Sequence, residues 1–255
     1  MRRITLAGSF LVTLYGGDLF AFTVQTATTP AGHEELIRRG INEAEIKRYL
    51  GEFPDAAALF TASSSAEWRN AGCGSECKRW ARNVDVWSVV LGARWVDLRG
   101  FQVTTRGTSG RVASLMPDGR VPLDNLRCWE VVTQLHDSVQ HDHFLRRRAE
   151  TEKGGDGWKV TVVNARKRFL ALFQEAVTKA SATLPTTTKV FDREIGQRYR
   201  GYTVKEGFFL LGRAMHLLQD SFSTEHVTRK AYHQAGDHAI TDVKSQVCAD
   251  GAKSH

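Results

Sequence analysis

Proline and cysteine are scarce in this chain of 255 residues, with 5 prolines beside 22 glycines and only 4 cysteines. The hydrophobic share of 42% and charged share of 25% are those of an ordinary globular protein. That composition excludes wholesale disorder and collagen-like architectures, and no internal repeat points to a solenoid. A second paired-cysteine motif is missing beside Cys73-x3-Cys77, which argues against a cysteine zinc ribbon. Downstream of the N-terminus there is no apolar run long enough to span a bilayer. Acidic excess is absent too: the formal charge is +7. A basic surface suits phosphate-bearing partners such as nucleic acid or anionic lipid, but charge alone does not choose between them. The length is generous for one domain and thin for two.

What is present begins with a leader-like segment. Met1-Arg2-Arg3 is a basic start, and Ile4 to Gly17 is an apolar run broken by small residues. This is the length and order of a secretory signal, with Leu19-Phe20-Ala21 as the expected cleavage site. The expectation is therefore a signal over 1–21 and a secreted or periplasmic mature chain. Under oxidising conditions Cys73, Cys77, Cys128 and Cys248 can form two disulfides in three pairings, and Cys73 and Cys77 are near enough for a local bridge.

The rest of the chain reads as mostly helical. Leu36, Ile37, Ile41, Ile46 and Leu50 recur at mostly helical spacing, and 54–70 reads as a second helix. Residues 79–91 fit helix or strand. Arg99 to Gly119 is Gly-rich and polar, the pattern of an extended loop or hairpin. Helical character resumes over Leu123–Glu150 and Val162–Ala180, a loop follows at Leu184–Thr188, and the last two helices are expected over Val204–Asp220 and Lys230–Val247. The tryptophans Trp68, Trp80, Trp87, Trp95, Trp129 and Trp158 are core candidates, and Arg146 to Arg148 read as a solvated helix face.

Chemistry is concentrated near the C-terminus. His216 and Asp220 are four apart, as are His238 and Asp242, with His226 between the pairs. On a helix, residues i and i+4 share a face, so each pair can present an imidazole and a carboxylate to one cation. The first pair lies in a run apolar on nearly every side (Phe208, Phe209, Leu210, Leu211, Met215, Leu217, Leu218), where ionisable groups are costly unless paired or metal-bound. The spacing points to metal, with a buried structural His–Asp pair as the plainer alternative.

The segment from Ala214 to Asp242 resembles the metal-binding segment of the bacterial zinc-dependent phospholipases C. That family carries H-x3-D-x5-H and, after eleven intervening residues, H-x3-E. His216, Asp220, His226 and His238 match, and Asp242 stands where the phospholipases have Glu, which resembles the related single-strand-specific fungal nucleases. Leu91-Gly92-x4-Asp97, Asp142-His143-Phe144 and Gly32-His33 resemble the family's other ligand segments. The Asp-His-Phe match selects His143 over its neighbour His141.

The resemblance implies an all-α fold: a single-domain multi-helix bundle over 22–255 around a trinuclear zinc cleft, with one long loop or hairpin insertion at about 99–122. It implies that Asp97, His143, His216 and Asp220 hold one Zn2+, and that His226, His238 and Asp242 hold a second. His33, a bridging Asp220 and the new N-terminal residue, Phe22, would hold the third. It further implies a phospholipase C that cleaves phosphatidylcholine-type lipids by attack of a zinc-bound hydroxide, with Asp97 as general base. Phospholipid or another phosphodiester would be the substrate, with transient contact to a membrane surface and no obligate protein partner. A single-strand nuclease or 3′-nucleotidase using the same zinc cluster is the second reading, in which nucleic acid is the partner. A non-enzymatic exported helical binding protein is the third.

Overall fold

The computed structural model describes residues 32–42, 48, 60–105, 137–182, 186–193, 199–230 and 239–245. The leader-like segment, Phe22, Cys128, Trp129, His238, Cys248 and the part of the expected insertion beyond residue 105 lie outside them.

Helix α1 (His33–Asn42) starts with Glu34 and Glu35 and ends near Arg39, an order that complements the helix dipole. Its Ile37 is buried against the core. Helix α2 (Ser65–Asn70) forms the end of the stretch 54–70 read as one helix; Ser64 ahead of it is extended, and residues 54–59 lie outside the described ones. The Ser64 hydroxyl accepts from the Glu67 N–H, and the Glu67 carboxylate accepts from the Ser64 N–H at 2.7 Å, a reciprocal cap. Helix α3 (Ser75–Trp80) follows, and the Cys73–Cys77 disulfide ties its first turn to the end of α2.

The ambiguous stretch 79–91 is helical on both sides of a break. Ala81 is extended, and Asn83 Oδ1 accepts from the Val86 N–H at 2.9 Å to cap helix α4 (Val84–Thr105). Val86, Val89, Val90, Leu91, Ala93 and Val96 of α4 are all buried, so this helix is the central post of the molecule. It runs on through Arg99–Thr105, where the sequence suggests a loop or hairpin. Extending a packed helix adds a hydrogen bond per residue without a new nucleation cost, which outweighs the local penalty of Gly100.

Within the Leu123–Glu150 region the described part is a 3₁₀ turn (Asp137–His143) and the one-turn helix α5 (Arg148–Thr151). Phe144 leaves the 3₁₀ turn in the left-handed region (φ 52°), held there by burial of its ring and by the Leu145 N–H bonding to the Gln140 carbonyl at 2.7 Å. After a further 3₁₀ turn (Gly154–Asp156), helix α6 (Gly157–Ala180) buries Thr161, Ala165, Leu172 and Ala176.

Strands β1 (Thr187–Arg193) and β2 (Tyr199–Lys205) form an antiparallel hairpin with Thr187 opposite Lys205, and β2 runs straight into helix α7 (Glu206–Asp220). Tyr202 and Val204 are buried on either side of partly exposed Thr203, a period of two that carries the strand through Val204 and Lys205, which the sequence assigns to the start of the helix. The expected last helix, Lys230–Val247, is also corrected. Its described part contains β4 (Ile240–Val243), paired antiparallel with β3 (Val227–Arg229), with Val227 opposite Val243 and Thr228 opposite Asp242. The described chain is thus helix-rich with two small sheets, in keeping with an all-α bundle.

Glycines let the two central helices meet. A Cβ on Gly92 of α4 would lie 2.1 Å from the Phe209 carbonyl oxygen, and one on Gly212 of α7 would lie 2.0 Å from that of Val89. Around this crossing, Trp68, Trp80 and Trp87 are buried in one cluster with Leu91, Val204 and Phe209. No helix among the described residues is long and apolar enough to cross a membrane.

Candidate metal centre

Four separate segments deliver imidazoles and carboxylates to one point. Asp97 comes from α4, His216 and Asp220 from successive turns of α7, His33 from the first position of α1, and His143 from the end of the 3₁₀ turn. His216 Nε2 lies 2.9 Å from Asp220 Oδ2, 3.1 Å from His143 Nδ1 and 3.7 Å from Asp97 Oδ1. His143 Nδ1 is 3.3 Å from Asp220 Oδ2 and 3.5 Å from Asp97 Oδ1. His33 Nε2 faces Asp97 Oδ2 at 3.6 Å and Asp220 Oδ1 at 3.5 Å. Donor atoms of His33, His216 and Asp220, and likewise of Asp97, His143 and His216, all lie within 4.8 Å of one another.

His33, His143 and His216 are fully buried, and Asp220 is nearly so; Asp97 is the most open, with 18% of its side chain exposed. Burial, reinforced by the neighbouring His216, pushes His33 from its ordinary 6.5 down to about 4. Burial likewise lowers His216, aided by His143 and His226 and opposed by Asp220. Burial raises Asp97 well above the usual carboxylate range, and the charges of Asp220 and Glu34 add to it. The same burial acts on Asp220, but the charges of His216 and His226 and hydrogen bonds from His143 and His216 hold it well below that range. Two carboxyls in one pocket are thus driven apart, one toward the neutral acid and one firmly ionised.

Neutral imidazoles and an ionised carboxylate gathered out of water are nitrogen and oxygen donors in the form that a divalent cation takes. These buried His and Asp groups can hold a metal ion.

The remaining predicted residues are placed differently. His226 is buried just ahead of β3; its Nδ1–H donates to the His143 carbonyl at 2.5 Å and lies 3.5 Å from Asp220 Oδ2. Asp242 belongs to neither donor group: it is on β4, its side chain is 49% exposed, and it forms an ion pair with Arg146. The i, i+4 helical face expected for His238 and Asp242 therefore does not form at Asp242, and His238 and Phe22 lie outside the described residues. Arg146, read as part of a solvated face, instead binds Asp242 and donates from Nε to the Val243 carbonyl at 2.9 Å. His141 turns away to Glu150 (2.9 Å), whose carboxylate also accepts from Thr161 and Asn164. That leaves His143 as the histidine of this turn at the centre. Its neighbour Asp142 fixes the turn by accepting from Arg168 Nε at 2.6 Å and from Arg213 Nη2 at 3.3 Å.

Two supporting features escape a motif-based reading. The buried ion pair of Arg94 with Glu34 ties α4 to α1 beside His33; an arginine set among Val89, Val90, Leu91, Ala93, Trp95 and Val96, three residues before Asp97, is the signal that marks it. Gln219 accepts from His33 Nδ1–H at 2.6 Å, and nothing in its local sequence distinguishes it from a surface glutamine.

No family model matches the chain. No solved structure matches it either. Among curated proteins it is similar to one named Hemolysin-1 from Aeromonas salmonicida, with 30% identity over 174 residues. The matched region is 68% of this chain and 26% of that protein, so the chain spans about a quarter of the length of the relative it resembles.

Proposed function

We propose that this chain is a zinc-dependent phosphodiester hydrolase of the phospholipase C type, acting outside the cytoplasm. The observation that carries the reading is the convergence of His33, Asp97, His143, His216 and Asp220 from four segments on one buried point. The resemblance of the segment around His216, Asp220 and His226 to the zinc phospholipases supports zinc, three ions in number, and the phosphodiester as substrate. The similarity to a protein named a hemolysin favours a membrane lipid over nucleic acid. The Cys73–Cys77 disulfide and the leader-like N-terminus support export.

Bound divalent cations supply the positive charge that polarises a phosphodiester and the water that attacks it. The chain's own groups do the rest. His33 and His216, which burial holds neutral, and the fully buried His143 would donate ring nitrogens to the site. Asp220 stays ionised and faces four imidazoles, so together with them it would hold a cation. Asp97 is the most open member of the cluster; burial favours its neutral form, and the charge of a bound cation would restore the carboxylate, which could then take a proton from an incoming water.

The test is a matched hydrolysis assay on the exported, processed protein, with phosphatidylcholine and single-stranded DNA each offered with and without a zinc chelator. Chelator-sensitive release of phosphocholine is the expected result. Chelator-sensitive cutting of DNA instead would move the same centre to the nuclease reading. Silence on both substrates together with absence of bound zinc would replace the enzyme by a structural, non-enzymatic helical protein.

A further inference from the structure

We propose that Gln219 is a positioning residue that sets the tautomer of His33 and thereby opens the centre to a cation; the proposal rests on the metal-centre reading above. His33 is fully buried, and its ring lies 4.0 Å from that of His216, centroid to centroid. Its Nδ1 is 2.6 Å from Gln219 Oε1. An amide oxygen only accepts, so Nδ1 carries the proton and Nε2 keeps its lone pair. That lone pair faces Asp97 Oδ2 at 3.6 Å and Asp220 Oδ1 at 3.5 Å. Only with Nε2 unprotonated can the ring join Asp97 and Asp220 in holding a cation.

The opposite arrangement shows what the glutamine decides. With the amide turned round, its NH2 would donate to Nδ1, and the ring proton would move to Nε2. Nε2–H would then satisfy the two carboxylates directly, and the site would close on itself as a hydrogen-bonded cluster. Gln219 lies on the same helix as His216 and Asp220, so α7 supplies two donor residues and also the group that orients a third from α1, 186 positions away. A carbonyl or carboxylate on the far nitrogen of a metal-binding histidine is the usual way a protein fixes ring and tautomer together.

The experiment compares wild type, Gln219→Leu and Gln219→Glu, all as the full mature chain. Zinc affinity is read by competition with a chromophoric chelator, and the His33 tautomer by long-range proton–nitrogen NMR on metal-free protein. Wild type should show the proton on Nδ1. Gln219→Leu should lose roughly 10–100-fold in zinc affinity, whereas Gln219→Glu, which can only accept, should match or exceed wild type. Equal affinity in Gln219→Leu and wild type overturns the proposal. So does an equal fall in both variants, which would mean that the side chain serves packing alone, and so does a wild-type proton on Nε2. If wild type takes up no zinc, the metal reading falls, and the tautomer in wild type and Gln219→Leu still decides the role of Gln219.

Discussion

Asp220 carries more of the centre than any other single side chain. Its two oxygens lie within 3.5 Å of ring nitrogens of His33, His143, His216 and His226. Asp220→Asn keeps the shape but removes the charge that balances bound cations, so metal content and hydrolysis should fall together, by more than the roughly 100-fold that changes behind the donors reach. Metal analysis alongside the lipid assay checks this, and retention of both at wild-type level would sink the proposed function. A second prediction concerns His33 in metal-free protein. Its folded value of about 4 lies below the ordinary 6.5, so on acidification the unfolded chain takes up the proton first. His33 therefore adds nothing to the pH dependence above about pH 6.5 and costs stability progressively as pH falls from there toward 4. In His33→Gln, denaturant unfolding at a series of pH values should show a shallower loss over that window.

At the scale of elements, the distance between Asp97 and the His216–Asp220 pair is set by how closely α4 approaches α7. Gly92 and Gly212 remove the side chains that would hold these helices apart. Gly212→Ala would drive a methyl into the Val89 carbonyl and should destabilise the protein by about 1–3 kcal/mol, with a parallel loss of zinc affinity as the donors separate. Gly40→Ala in α1 meets nothing within 4 Å and should be neutral or stabilising by up to about 1 kcal/mol. Thermal unfolding of the two variants tests the contrast, and equal melting temperatures would mean that the crossing is not tight. Elements were unequally legible in the sequence. The run Val162–Ala180, with Phe169, Leu170, Leu172, Phe173 and Val177, marks α6 as a helix but not its buried face: Leu170, Phe173 and Val177 are exposed, and the buried side carries Thr161, Ala165, Leu172 and Ala176. Strand β4 falls in the stretch Lys230–Val247 that the sequence assigns to a helix, where His238 and Asp242 four apart suit a helix face. Ile240, Thr241 and Val243 are β-branched, however, and their pairing with Val227–Arg229 decides the conformation.

For the molecule as a whole, metal and fold should be linked. The centre joins α1, α4, the 3₁₀ turn and α7, so cations bound there tie together segments remote in sequence. Zinc at a hundred times its dissociation constant should stabilise the protein by about 2.7 kcal/mol, and a chelator should remove that gain reversibly. Calorimetry with and without chelator measures it, and an unchanged melting temperature would contradict a bound ion. The Cys73–Cys77 bridge, by contrast, spans only four positions and braces the region of α2 and α3 rather than the centre.

Local regularities are what the sequence by itself determined. It marked a helix-rich chain, a nearby pair of cysteines, and His216 and Asp220 on one face of an apolar helix, because helical periodicity and short spacings are written in consecutive residues. The resemblance to the zinc phospholipases also marked Asp97, His143 and His33, which the fold brings to the same point. Tertiary structure alone decided which groups share that point. It turned His141 to Glu150, gave Asp242 to Arg146, and brought Gln219 to His33 across 186 positions. Those choices depend on helix crossings and strand pairing over long separations, and the energies that settle them, burial and desolvation, exist only once the chain has folded.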